Sequence, residues 1–203
     1  ALRQMESLFD VLVCGDGERA IFKALEATSG IIDADDPKTD LFLTNQTLNE
    51  TPFPARHLVD VESYHYQIDG ERALSICCQL GCPFSCGFCG GRNSPMLRRV
   101  RLRTTENVVA EIRHLYKTYG IKGIMAYDDE LNVNQQMVPL MNAIGDLGEE
   151  LGVEFKLRGF IKSQLFTDEQ AAAMFRAGFR WILTGFESGS PRILENINKR
   201  ATR

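Results

Sequence analysis

The chain has 203 residues, 44% of them hydrophobic and 25% charged, which suffices for one sizeable buried core and part of a second domain. A formal net charge of -4 without any long run of Lys and Arg excludes a nucleic-acid arm or a polybasic membrane anchor, so no nucleic-acid partner is indicated. No apolar run approaches the roughly 20 residues that cross a bilayer, and the opening Ala1-Leu2-Arg3-Gln4-Met5-Glu6 lacks the order of a signal peptide; no membrane span and a cytoplasmic location are expected.

Residues 9–14 form a short β-branched apolar run, which predicts a strand, followed by a Gly15-Asp16-Gly17 turn and a helical pattern at Ala20, Ile21 and Leu25. Residues 29–70 carry Gly, Asp, Asn, Thr and three prolines without sustained periodicity, and read as a linker or wrapping segment. From Ala73 the pattern alternates. Extended stretches are expected at Ala73–Gln79, Ile121–Tyr127, Glu154–Phe160 and Phe179–Phe186, and helices at Glu106–Tyr119, Met137–Leu151, Asp168–Ala177 and Pro191–Asn198. Gly120, Gly152 and Gly178 stand where helix C-caps belong, and Thr167 before Asp168 and Glu169 reads as an N-cap. Consecutive βα units predict an α/β fold with a parallel sheet and right-handed crossovers, in which ligands gather at the carboxyl ends of the strands. The division expected is 1–50 for the end of one α/β domain, 51–72 for a linker and 73–203 for the main domain. Both ends fall inside elements, so the chain reads as a fragment.

Five of the six cysteines crowd into residues 77–89, which without an export signal favours a metal over disulfides. Cys82, Cys86 and Cys89, spaced three and then two residues apart in a loop with Gly and Pro, can converge on one cubane cluster and leave one iron open. An open iron argues for chemistry. The alternatives are a non-catalytic iron–sulfur protein that carries electrons, or a structural zinc site, which needs a fourth ligand. His57, His65 and His114 lie outside the loop and are read as surface or satisfied interior residues, and Cys14, Cys77 and Cys78 as small buried hydrophobes.

The motif Cys82-x3-Cys86-x2-Cys89, with aromatic Phe88 before the last cysteine, resembles the signature of radical S-adenosylmethionine enzymes over about residues 73–203. The resemblance implies a partial (β/α) barrel, a [4Fe–4S] cluster on the three cysteines, and S-adenosylmethionine chelated to the open iron. One electron then breaks a sulfur–carbon bond and releases a 5′-deoxyadenosyl radical that takes hydrogen from a small-molecule substrate. It implies an electron donor such as flavodoxin or ferredoxin. Asp128-Asp129-Glu130 follows the second strand where relatives carry Gly-Gly-Glu against the cofactor's amino group, which makes Glu130 the matching acid; for Asp129 an N-cap is the alternative. Arg158 would meet the cofactor's carboxylate, with a surface arginine as the alternative. Glu187 and Ser188 match a ribose-contacting stretch, and Ser188 or Ser190 could equally cap the next helix. The arginines 92, 98, 99, 101 and 103 suggest an anion-facing patch or, by weight, a solvated face. Lys199 draws no assignment.

The strand, Gly-rich turn and helix at 9–25, followed by Thr51-Pro52-Phe53-Pro54, resemble the end of the doubly wound cobalamin-binding domain that precedes many such enzymes. The Asp-x-His-x-x-Gly motif expected of that domain is absent from these residues. Cobalamin is therefore expected only in the intact protein, where methyl transfer or a ring-forming reaction becomes the chemistry. A truncated chain with an unpaired strand edge could also be inactive.

Overall fold

A computed structural model describes residues 2–199; the ends on which the reading as a fragment rests, Ala1 and residues 200–203, lie outside the described residues. Five strands form the main sheet in the order β3 (Gln67–Ile68), β4 (Glu71–Ile76), β7 (Gly123–Ala126), β8 (Lys156–Phe160) and β9 (Phe179–Leu183). β3 and β4 are an antiparallel hairpin, whereas β4, β7, β8 and β9 run parallel in sequence order. The partial (β/α) barrel expected from the alternation is what forms: an open half-barrel with α4 (Thr105–Tyr119), α5 (Met137–Leu151) and α6 (Asp168–Ala177) over one face.

The pleat explains which face is covered. Ile76, Ile124, Ala126, Leu157 and Phe179 point to the helices and bury against Ile112 and Leu115 of α4, Leu140, Met141 and Ile144 of α5, and Met174 of α6. Their alternates Ser75, Met125, Arg158 and Trp181 stand opposite one another across the four parallel strands and line the other, concave face. The three helices end as their glycines dictate, with Gly120, Gly152 and Gly178 in the left-handed region. At Gly178 the demand is also steric, because a Cβ would lie 2.0 Å from the carbonyl oxygen of Phe155.

The N-terminal part is a βαβ unit, with β1 (Val11–Gly15) and β2 (Gly30–Ala34) parallel and α1 (Gly17–Glu26) between them. β2 lies inside the stretch read as linker: two isoleucines between Gly30 and Asp33 are too few to show a period, and pairing with β1 makes them a strand. Further on, α2 (Asn45–Glu50) starts with a Thr44 capping box. The unit docks on the main domain through charge. Asp16, 7% exposed, forms an ion pair with Arg101, 2% exposed, and also accepts the Leu43 N–H at 3.1 Å. Arg101 begins β6 (Arg101–Leu102), which pairs with β5 (Gln79–Leu80) beside the cysteine loop.

No helix among the described residues is long and apolar enough to cross a membrane. Truncating one member of a buried ion pair strands the other, at a cost of about 3–5 kcal/mol, whereas apolar replacement of both is often neutral. Asp16→Ala is accordingly expected to lower the urea-unfolding free energy by about that much, and Asp16→Leu with Arg101→Met to recover most of it. Equal stabilities of wild type and Asp16→Ala by circular dichroism would remove the pair from the docking account.

Candidate functional site

The cysteine loop leaves the sheet after β5 through Gly81, whose φ of +86° and closeness to backbone, with a Cβ position 2.4 Å from the Arg99 carbonyl oxygen, admit no side chain. Beyond it Cys82 N–H donates to Leu97 O at 2.8 Å, and Cys89 N–H to Cys86 O at 3.0 Å. Cys82, Cys86 and Cys89 are all half-buried and free. Burial pushes the Cys82 thiol up, the Phe84 N–H opposes this, and Glu130 raises it further. Among the described residues no three His, Cys, Asp or Glu side chains are gathered tightly enough to hold a single metal ion. A cubane, with its irons set apart, takes thiolates from a wider spread than one ion does.

Asp128 lies beneath this loop, 2% exposed, and accepts the N–H groups of Cys78 at 2.7 Å and Gln79 at 2.9 Å. Burial pushes its carboxyl up to about 7, although both N–H bonds favour the ionised form. Gln79 in turn donates to Glu130 O at 2.7 Å, so the end of β7 is tied to the start of the loop twice. Two residues of the Asp128-Asp129-Glu130 stretch thus have different work: Asp128 holds backbone, and Glu130 faces the mouth of the half-barrel. The Glu130 carboxyl is half-buried, its Oε2 has no partner, and burial raises it against the pull of Lys199 and Lys162.

Arg158 is half-buried on the concave face, not spread on the outer surface, and its Nε is buried without a partner. Glu187 adopts a left-handed φ of +56° and pairs with Lys199 Nζ at 3.1 Å. Ser188 Oγ accepts the Ser190 N–H at 3.1 Å, a turn just ahead of α7 (Pro191–Asn196). Phe88 is exposed, with Lys199 Nζ 5.7 Å from its ring centre. The structure therefore brings Glu130, Glu187 and Phe88 together around one residue, Lys199, with Arg158 on the same concave side of the sheet.

Lys199, Asn198 and Lys162 are the members that sequence reasoning missed. After α7 the chain turns back onto the cysteine loop: Gly87 N–H donates to Ile197 O at 2.6 Å, and Asn198 Nδ2 reaches Ser85 O at 3.1 Å. Lys162 is buried with its Nζ 4.2 Å from the Phe84 ring centre, in the wall of a cavity of about 60 Å³ that Cys86 and Asn198 also line. An Asn-Lys pair at a helix end and a Lys beyond a strand end carry no periodic signal, and only their return to the loop distinguishes them.

Two readings are corrected. Cys77 is exposed, because the residues after Ile76 leave the sheet and only Cys78 turns inward; burial of its sulfur and Asp128 nearby still push its thiol up to about 11. The basic stretch is a solvated face only in part: Arg92 and Arg99 are exposed, and the other three are not. Arg101 is buried against Asp16, and Arg103 shares the buried Glu111 with Arg56 at 2.6 and 2.7 Å.

Comparison with known proteins follows the same lines. The family model described as "Radical SAM superfamily" matches residues 76–203. An uncharacterized methyltransferase of Pyrococcus horikoshii is 30% identical over 158 residues, 77% of this chain and 33% of that protein. The anaerobic magnesium-protoporphyrin IX monomethyl ester cyclase of Cereibacter sphaeroides is 25% identical over 214 residues, 95% of this chain and 34% of that protein. The chain thus spans about a third of the length of these curated relatives. Among solved structures, the radical S-adenosylmethionine methyltransferase TsrM of Kitasatospora setae, with cobalamin and a [4Fe–4S] cluster bound, superposes with a TM-score of 0.57 at 22% identity, over 66% of this chain and 26% of that one. The cobalamin-dependent S-adenosylmethionine radical enzyme OxsB, with aqua-cobalamin and S-adenosylmethionine bound, gives 0.54 at 21% identity, over 64% and 20%. At such identities these structures speak for the fold.

Because Asp128 binds a proton when folded up to about pH 7 and its ordinary value is 3.8, the folded chain retains a proton that the unfolded chain has lost. Its contribution to stability is full below pH 3.8 and declines as pH rises to about 7, then stays level. Asp128→Asn removes this dependence, so the variant is expected to gain on wild type in urea unfolding across that window. A difference between the two proteins that does not change with pH counts against the assignment.

Proposed function

This chain belongs to the radical SAM superfamily, a family of enzymes whose membership implies a [4Fe–4S] cluster and S-adenosylmethionine, and from that premise we propose that Cys82, Cys86 and Cys89 hold the cluster and the chain cleaves S-adenosylmethionine reductively. The supporting observation is the pair of unpartnered buried atoms, Glu130 Oε2 and Arg158 Nε, an acceptor in the loop after β7 and a donor on β8. Buried polar groups are rarely left unpaired, and a ligand with both an amine and a carboxylate would satisfy one of each.

The residues fit that ligand. Glu130 accepts from the amine and Arg158 donates to the carboxylate, while three thiolates leave one iron for both groups to chelate. Glu187, turned outward by its left-handed backbone and steadied by Lys199, and Ser188 offer oxygens to the ribose hydroxyls. The exposed Phe88 ring presents an apolar face to the nucleoside. When bound, the cluster supplies the single electron that breaks a sulfur–carbon bond and yields the 5′-deoxyadenosyl radical. The chain's own part is to orient the sulfonium and to keep water from the concave face.

For the intact protein we propose cobalamin-linked methyl transfer or cyclisation, the activities named for the relatives above, with residues 1–50 as the end of a cobalamin-binding domain, 51–72 as a linker and 73–203 as the radical core. Flavodoxin or ferredoxin is the proposed electron donor.

Anaerobic iron–sulfur reconstitution of the chain, read by electron paramagnetic resonance of the reduced cluster, tests the reading. A [4Fe–4S] signal is expected in wild type, shifted by S-adenosylmethionine and absent in Cys86→Ala. Glu130→Gln is expected to keep the cluster and weaken the S-adenosylmethionine shift by about tenfold in concentration, about 1.4 kcal/mol. A wild-type signal indifferent to S-adenosylmethionine means electron transfer, and bound zinc in place of iron sinks the proposal.

A further inference from the structure

The five arginines that follow the cysteine loop have separate fates, and Arg98 has the unexplained one. Arg101 and Arg103 are committed to buried carboxylates, and Arg99 lies 5.8 Å from the ring centre of Phe42. Arg98, the last residue of α3 (Pro95–Arg98), instead turns towards the cysteines, with Nη2 4.0 Å from Cys89 Sγ. Its Nε and Nη1 are buried and have no hydrogen-bond partner. Two nitrogens of one guanidinium are thus withdrawn from water without a partner while the third lies beside a thiol, an arrangement that costs free energy unless something anionic accepts them. Cys82 on the other side of the loop also feels the charge of Arg98.

Arg98 is held there by two sets of contacts. Its helix packs under the loop, where Leu97 O accepts the Cys82 N–H. The helix start is fixed from the N-terminal unit: Asp35 accepts the Ser94 hydroxyl at 2.6 Å and the Met96 N–H at 2.8 Å, and Ser94 caps Leu97 N–H. A side chain mounted this way cannot easily swing out to solvent.

We propose that Arg98 is the counter-charge of the iron–sulfur cluster, donating N–H bonds to the Cys89 sulfur and to the cluster's sulfides, and that it makes the cluster easier to reduce. The inference rests on the cluster reading above. A cubane held by thiolates is anionic and becomes more so when it takes an electron; a fixed cation and N–H···S bonds favour the reduced state. Only the electron moves in this step, and Arg98 remains protonated in both states because guanidinium does not titrate in proteins.

The test is the reduction equilibrium of the reconstituted cluster in wild type, Arg98→Gln and Arg98→Lys, followed by electron paramagnetic resonance in a dye-mediated titration. Arg98→Gln is expected to keep its iron per chain and lose at least tenfold in the reduction equilibrium, about 59 mV towards negative potential for one electron. Arg98→Lys, which keeps the charge and loses the fork, falls between. Wild type grown with 15N-arginine is expected to show a guanidinium nitrogen coupling to the reduced cluster that is lost in Arg98→Lys; this readout stands even if Arg98→Gln misfolds. Equal potentials in wild type and Arg98→Gln, or no nitrogen coupling in wild type, overturn the role of Arg98 and leave the cluster reading intact. Failure of wild type to assemble any cluster overturns both.

Discussion

Asp128 accepts two backbone N–H groups under the start of the cysteine loop, and the position of everything at the mouth of the half-barrel follows from that bond pair. β4 ends at Ile76, and a strand end leaves N–H groups that must find partners. By supplying one carboxylate oxygen to both Cys78 and Gln79, the neighbouring strand's loop stops the sheet there and directs the chain outward. Burial makes this carboxylate costly to ionise, which is why its proton persists to about pH 7.

The second constraint is the return of the chain after α7. Gly87, Asn198 and Lys199 close a clasp between the cysteine loop and the last described residues, so a loop with no regular structure is held at both its ends and at its middle. Lys199 contributes electrostatically as well, since it sits between Glu187 and the Phe88 ring and lowers the carboxyl of Glu130. A buried Lys placed among two carboxylates keeps the mouth from being strongly anionic, which suits a cationic sulfonium that also carries a carboxylate.

The N-terminal unit participates in the site without touching it. Asp16 pairs with Arg101 and Asp35 holds α3, so two acids at the ends of β1 and β2 fix two points within the basic stretch. The segments between the cysteine loop and α4 are therefore sandwiched between the unit and the half-barrel. Arg98, at the end of the helix so held, faces the cysteines.

How much of this was legible depended on the range of the interaction involved. The α/β alternation, the helix ends at Gly120, Gly152 and Gly178, and the family signature in the spacing of Cys82, Cys86 and Cys89 were readable because each is a local pattern: a period, a cap, a spacing. The sequence by itself determined the half-barrel and the family. Tertiary structure alone decided the rest. It made Gly30–Ala34 a strand by pairing it with β1, and it exposed Cys77 while burying Cys78. It separated Asp128 from Glu130, and it divided a basic stretch into Asp16, Glu111 and cysteine partners. Those outcomes depend on groups 8 to 85 residues apart, such as Arg103 with Glu111 and Arg101 with Asp16. Charge and hydrogen bonding across such separations are set by where the backbone brings the groups together, and no spacing in the chain records it.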